Sequence, residues 1–139
     1  MKKLNGLDLF SGIGGISIAL EPWVRTVAYC EQNKYCQGVL MSRMQDGSLD
    51  RAPIWDDVQT LQGEIISEID IIFGGFPCQD ISYAGGGLGL SGKRSGLWFP
   101  AAGIIRALGP RIVVVENVAA LLNRGMGEIL GTLADCGFD

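Results

Sequence analysis

Histidine is missing from this 139-residue chain, which excludes every Ser-His or Cys-His catalytic arrangement and makes a zinc site hard to assemble. The four cysteines (Cys30, Cys36, Cys78 and Cys136) form no CxxC pair, so they read as reduced thiols and no metal site is expected. No apolar run approaches the length of a membrane span. Met1-Lys2-Lys3 leads into a segment carrying Asn5 and Asp8 rather than a signal-peptide core, so the expected location is cytoplasmic. Cations are also scarce, with 11 Lys and Arg against 15 Asp and Glu for a net charge of −4. That balance argues against a broad electrostatic footprint for nucleic acid; if the substrate is a polynucleotide, much of its binding surface lies elsewhere.

What is present suits one cored domain: 47% of residues are hydrophobic and 19% charged, in a length too short for two ordinary domains. Residues 4–10 read as an apolar strand, followed at once by Ser11-Gly12-Ile13-Gly14-Gly15 and a helix opening at 16–20. Small residues in such a turn let a ligand approach the backbone closely, and the helix amino end offers unpaired N–H groups. The spacing is neither G-x-G-x-x-G nor a P-loop, so the turn serves some other ligand or only packing. A second strand over 24–30 ends at Glu31, about twenty positions on. There an acidic residue either holds a ribose hydroxyl or is a solvated first-turn acid of the helix expected over 34–44. Residues 54–58 form a short third strand or its loop, and 60–68 a modest helix with Leu61, Ile65 and Ile66 on one face.

The fourth strand, 69–73, is broken by Gly74-Gly75, which sets Cys78 on the loop at its carboxyl end, where open α/β sheets hold ligands. Pro77 fixes its own φ and restricts Phe76, so the thiol is aimed, and Cys78 is a candidate nucleophile. Residues 82–95 are glycine-dominated with Lys93 and Arg94 near the end: either a surface loop or a lid whose two cations meet phosphates. A helix follows over 97–108. The β-branched run 112–115 is expected to be central and buried on both faces, with Glu116 at its end and a last helix over 126–136.

Three stretches carry a resemblance. Gly75-Phe76-Pro77-Cys78-Gln79-Asp80-Ile81-Ser82 resembles the catalytic-cysteine motif of the DNA (cytosine-5) methyltransferases. Asp8-Leu9-Phe10-Ser11-Gly12-Ile13-Gly14-Gly15 is similar to their first cofactor motif, and Glu116-Asn117-Val118 to their acidic motif, all in the family's order. The resemblance implies a Rossmann-like α/β fold of the class I S-adenosylmethionine-dependent methyltransferases, with parallel sheet order 3-2-1-4-5. It covers only the first part of a complete enzyme. Residues 1–139 are thus expected to be an incomplete catalytic domain without its target-recognition region, either a fragment or one half of a split protein completed by a complementary chain.

For the site, the resemblance implies Cys78 as the thiolate that adds to cytosine C6 and Glu116, partly buried and protonated, as the acid toward N3, with Asn117 positioning Pro77 and Glu116. S-adenosylmethionine, leaving as S-adenosylhomocysteine, is expected against Phe10 (stacking), Ser11, Gly12, Gly14, Gly15, Glu31 and Leu97. Asp57 is expected at the adenine amino group, with Asp56 as its close competitor. Gln79, Ser82, Lys93 and Arg94 are the expected contacts to double-stranded DNA with its target cytosine flipped out. Two other functions fit the same motifs: methylation of tRNA cytosine, and a noncatalytic cofactor-binding half of a split enzyme.

Overall fold

In the computed structural model, residues 1–63, 66, 68–76, 95–117 and 125–139 are described. Five strands, β1 (Leu4–Leu9), β2 (Val24–Cys30), β3 (Ile54–Trp55), β4 (Ile71–Gly74) and β5 (Ile112–Val115), form one sheet in the order β3-β2-β1-β4-β5. All four pairings are parallel, so every carboxyl end lies along the same side of the sheet, as the order 3-2-1-4-5 requires. The helices are α1 (Gly15–Leu20), α2 (Lys34–Asp46), α3 (Trp98–Leu108) and α4 (Met126–Asp135), and a 3-10 turn, Ser95–Leu97, leads into α3.

Alternation along the strands separates two hydrophobic layers. Leu7, Leu9 and Ile72 face α3, packing with Trp98, Ala101 and Ile105 and with Ile129 of α4. Val24, Ile71 and Phe73 face the other way, against Ile16 and Leu20 of α1, and Tyr29 packs with Leu40 and Met44 of α2. Each large side chain buried in this way contributes about 1.5–3 kcal/mol. A register shift between Gly6 and Leu7 opposes Thr26 to the first and Ala28 to the second, leaving Val27 as the extra residue. The bulge brings Thr26 and Tyr29 to the same face, one that strict alternation would not give them.

Several boundaries match the sequence reading, the short third strand and its loop among them; two features differ. β3 stops at Trp55, because the Asp57 carboxylate accepts from the Gln59 N–H (2.9 Å) and its carbonyl from the Thr60 N–H (3.0 Å), closing a turn. The helix expected over 60–68 has no α-helical residue among those described; Gly63 belongs to a 3-10 turn, and its carbonyl accepts from the Ile66 N–H (3.0 Å). Gly63 packs tightly against Ala107 and Leu108, Glu68 has φ of 57°, and Leu61 and Ile66 reach the core from irregular backbone. Ile65 lies outside the described residues. The second concerns β5, which lies at the end of the sheet order among the described residues and has Ile112 and Val114 42% and 39% exposed. Among the described residues, no helix is long and apolar enough to cross a membrane.

Candidate active site

The turn after β1 is built by local hydrogen bonds. Ser11 is buried; its hydroxyl donates to the Asp8 carbonyl (2.9 Å), and its N–H donates to the Cys30 carbonyl (3.1 Å). The turn is thereby tied to both strands. Phe10 has φ of 55°, a left-handed conformation that a bulky side chain rarely adopts and that the flanking bonds must hold. Gly14 also has positive φ, and a Cβ there would meet Leu49 at 2.7 Å and Leu40 at 3.1 Å. Its place is thus in the packing beneath the turn, not at a surface open to ligand. Gly15 is exposed and opens α1.

Glu31 sits where β2 ends. Its two carboxylate oxygens accept from the Gly12 N–H and the Asn33 N–H, each at 2.7 Å, joining the glycine turn to the start of α2. The carboxylate thus faces the turn, as a ribose-holding acid would, rather than open solvent. Beside it opens a cleft of about 220 Å³ lined by Phe10, Glu31, Asp56, Asp57, Gly75 and Leu97 among others. Four of the expected cofactor residues (Phe10, Glu31, Asp57 and Leu97) meet there, while Ser11 and Gly14 shape the turn from behind. Asp56 shares the lining with Asp57, so the cleft does not choose between them. Cys30 also lines it and was not singled out from the sequence. Burial, with Glu31 adding to it, pushes its thiol up to about 12, so Cys30 is a neutral wall and not a nucleophile. Its only sequence signal was its place immediately before Glu31.

At the other end of the site, the Glu116 N–H donates to the Gly74 carbonyl (3.0 Å), continuing the β4–β5 ladder by one residue. Its carboxylate lies over Gly75: a Cβ there would stand 2.6 Å from Oε2. Gly75 therefore separates Glu116 from the cleft by the width of one residue. Among the described residues Glu116 is exposed and not partly buried as expected. Asn117 Nδ2 donates to the Phe76 carbonyl (3.3 Å), and the Phe76 ring packs on Trp98 at 5.6 Å between centroids. Phe76 is thus held from both its backbone and its side chain. The glycine turn, Glu31 and Glu116 share the carboxyl side of the sheet. Pro77, Cys78, Gln79, Ser82, Lys93 and Arg94 lie outside the described residues.

The comparisons with known proteins agree with this geometry. The family described as C-5 cytosine-specific DNA methylase matches residues 4–139. The chain is similar to the type II methyltransferase M.HaeII of Haemophilus aegyptius, at 33% identity over 136 residues covering 97% of this chain and 41% of that protein. It is also similar to M.HhaI of Haemophilus parahaemolyticus, at 35% identity over 133 residues, 93% of this chain and 39% of that one. Among solved structures, a mutant of Spodoptera frugiperda DNMT2 superposes with a TM-score of 0.73 at 22% identity, over 96% of this chain and 41% of that one, a likeness of fold. The chain spans about two fifths of the length of these relatives. From the strand order, the cleft and the family match together, the chain belongs to the C-5 cytosine-specific DNA methylases.

Proposed function

We propose that these residues carry the cofactor cleft and catalytic cysteine of a DNA cytosine-5 methyltransferase that acts in the cytoplasm on double-stranded DNA with the target base flipped out. The observation that supports this best is the single-residue separation of Glu116 from the cleft, across Gly75. The acid that serves the target base has to stand this close to the methyl donor.

The lining residues fit S-adenosylmethionine: a carboxylate for the ribose hydroxyls (Glu31), an aromatic and an aliphatic wall (Phe10, Leu97), and acids at Asp56 and Asp57 for the adenine amino group. When bound, the cofactor supplies an electrophilic methyl group on a sulfonium centre. The chain's own residues supply the rest. Cys78 adds as thiolate to C6 of cytosine, placing an electron pair at C5, while N3 takes up a proton through Glu116. Asn117 fixes the peptide that enters the cysteine loop through the Phe76 carbonyl. Once C5 has taken up the methyl group, loss of its proton expels Cys78, N3 gives back its proton and the aromatic ring is restored.

With a net charge of −4, this stretch brings little general attraction for phosphate. We therefore assign most DNA contacts, including choice of target sequence, to residues outside it, in the same polypeptide or in a complementary chain. Within it, Gln79, Ser82, Lys93 and Arg94 remain the assigned DNA contacts.

The test is methyl transfer by the full-length protein from labelled S-adenosylmethionine to unmethylated double-stranded DNA and, separately, to tRNA. Label recovered as 5-methylcytosine in DNA is expected; label in tRNA alone overturns the substrate assignment. A second expectation concerns the cleft. Glu31→Ala removes an ionised acceptor for two backbone N–H groups and for the ribose, a loss of about 1.5–3 kcal/mol. Calorimetric titration should show S-adenosylmethionine binding weakened roughly tenfold to a hundredfold.

A further inference from the structure

Behind the cofactor cleft lies a smaller void, a cavity of about 20 Å³ lined by Leu9, Phe10, Gly74, Phe76, Trp98 and Ile105 among others. The two share a wall. Phe10 lines both, Gly75 lines the cleft while Gly74 and Phe76 line the cavity, and Leu97 lines the cleft while its neighbour Trp98 lines the cavity. Trp98 is the largest fully buried side chain among the described residues, and among them its indole Nε1 has no hydrogen-bond partner. The side chains that line the cavity with it are all apolar and offer no acceptor. An unpaired buried N–H works against folding, whereas a leucine or phenylalanine in the same place would bury no polar atom. A tryptophan kept at such a site points to a role other than packing.

What the Trp98 ring does is hold Phe76. The ring centroids are 5.6 Å apart and the planes inclined by 49°, within the range in which aromatic pairs attract beyond their buried area. Phe76 is also buried, and its carbonyl accepts from Asn117 Nδ2 (3.3 Å). The next residue is Pro77, whose ring sets its own φ and whose presence confines Phe76 to extended conformations. The direction in which the chain leaves β4 toward Cys78 is therefore set at Phe76, by Asn117 at its carbonyl and by Trp98 at its ring. Attack of a thiolate on C6 needs close alignment, and a displacement of about 1 Å costs on the order of a hundredfold in rate.

We propose that Trp98 is a positioning residue for methyl transfer: its ring fixes Phe76, and through Phe76 the peptide that enters the cysteine motif, against the back of the cofactor cleft. The proposal rests on the reading of Cys78 as the attacking thiolate. The junction of the 3-10 turn with α3 gives Leu97 to the cleft and Trp98 to Phe76, so one element sets the methyl donor and the nucleophile relative to each other. A leucine could fill the core here without an unpaired N–H, but it has no ring to set against Phe76. The contact contributes to the rate of the chemical step and not to affinity for the cofactor, because Trp98 lies behind the cleft wall and not in it.

The experiment measures, in the full-length protein, the single-turnover rate of methyl transfer to DNA, with S-adenosylmethionine affinity from calorimetry and stability from urea unfolding. Trp98→Leu should slow transfer roughly tenfold to a hundredfold while cofactor affinity changes by less than about threefold. Trp98→Phe keeps a ring for Phe76 and should restore transfer to within about threefold of the native rate. Neither substitution removes a hydrogen bond, so the two variants should unfold at similar urea midpoints despite their different rates. In a Phe76→Leu background, Trp98→Leu should slow transfer little further. Ile104→Val, buried in the same helix but away from the cavity, should lower the midpoint without slowing transfer. If Trp98→Leu does not fold, Trp98→Met, whose flexible side chain adapts to the space, makes the same comparison. A native rate in the leucine or methionine variant, equal slowing by leucine and phenylalanine, or full additivity with Phe76→Leu overturns the positioning role alone. Absence of transfer by the native protein overturns the reading of Cys78, and this proposal with it.

Discussion

Cys78→Ser in the full-length protein is expected to abolish transfer of labelled methyl groups to DNA, a loss on the order of a thousandfold or more, while S-adenosylmethionine affinity changes by less than about twofold. Cytosine C5 is a poor nucleophile until a thiolate adds at C6. A seryl hydroxyl without a neighbouring base is almost never ionised, and this chain offers no imidazole to serve as that base. Cofactor binding should survive because the cleft is built from the ends of β1, β2 and β3, from Gly75 after β4 and from the turn before α3, and the described lining does not include the thiol. DNA carrying 5-fluorocytosine gives a second measurement. Fluorine cannot leave C5 as a proton does, so the native protein should form a complex that survives denaturing electrophoresis and the serine variant should not. Methyl transfer retained by Cys78→Ser would rule out the covalent route.

The largest effect on stability is expected at Gly74. A Cβ there would lie 1.9 Å from the Leu9 carbonyl oxygen and 2.8 Å from its carbon, both backbone atoms of the central strand. Leu9 is held in register with Cys30 on one side and Gly74 on the other, so it has nowhere to move. Gly74→Ala must therefore separate β1 from β4, which should cost about 3 kcal/mol or more. Urea unfolding should show a markedly lower midpoint, with its slope unchanged if the transition stays two-state. Gly75→Ala is the informative contrast. The nearest atom there is Glu116 Oε2, the end of an exposed side chain that can swing away, so stability should hardly change while methyl transfer falls. Equal stability of native protein and Gly74→Ala would mean that β1 and β4 are not in the register described.

Much of the frame was legible because strands and breaks are local signals. The glycine turn after Leu9, Pro22 after α1 and the Gly74-Gly75 break each punctuate an apolar run, and right-handed crossovers then fix the strand order. Glu31 could be placed for the same reason, since a residue at a parallel strand's end inherits its position from the topology. What escaped depends on neighbours distant in sequence. Ile112-Val113-Val114-Val115 has the composition of a central strand, yet what covers each face is decided by other elements. Leu61, Ile65 and Ile66 read as one helical face, but tertiary packing around Gly63 overrides the pattern at the described residues. Asp8 opens the stretch that resembles the first cofactor motif, but its burial and partners could not be read from that. Only the bulge at Val27, which turns Thr26 toward α1, and the arrival of Ser17 make it part of a buried cluster.

The contact between Trp98 and Phe76 gives the protein a built-in optical probe. Trp98 is 2% exposed with its indole N–H unpartnered, an apolar and unsolvated setting that favours blue-shifted emission inaccessible to iodide. The other two tryptophans, Trp23 and Trp55, are 56% and 36% exposed, and their redder emission is open to collisional quenching. With the exposed pair quenched, the residual blue-edge fluorescence belongs to the ring against Phe76, two residues from Cys78 in the chain, and needs no extrinsic label.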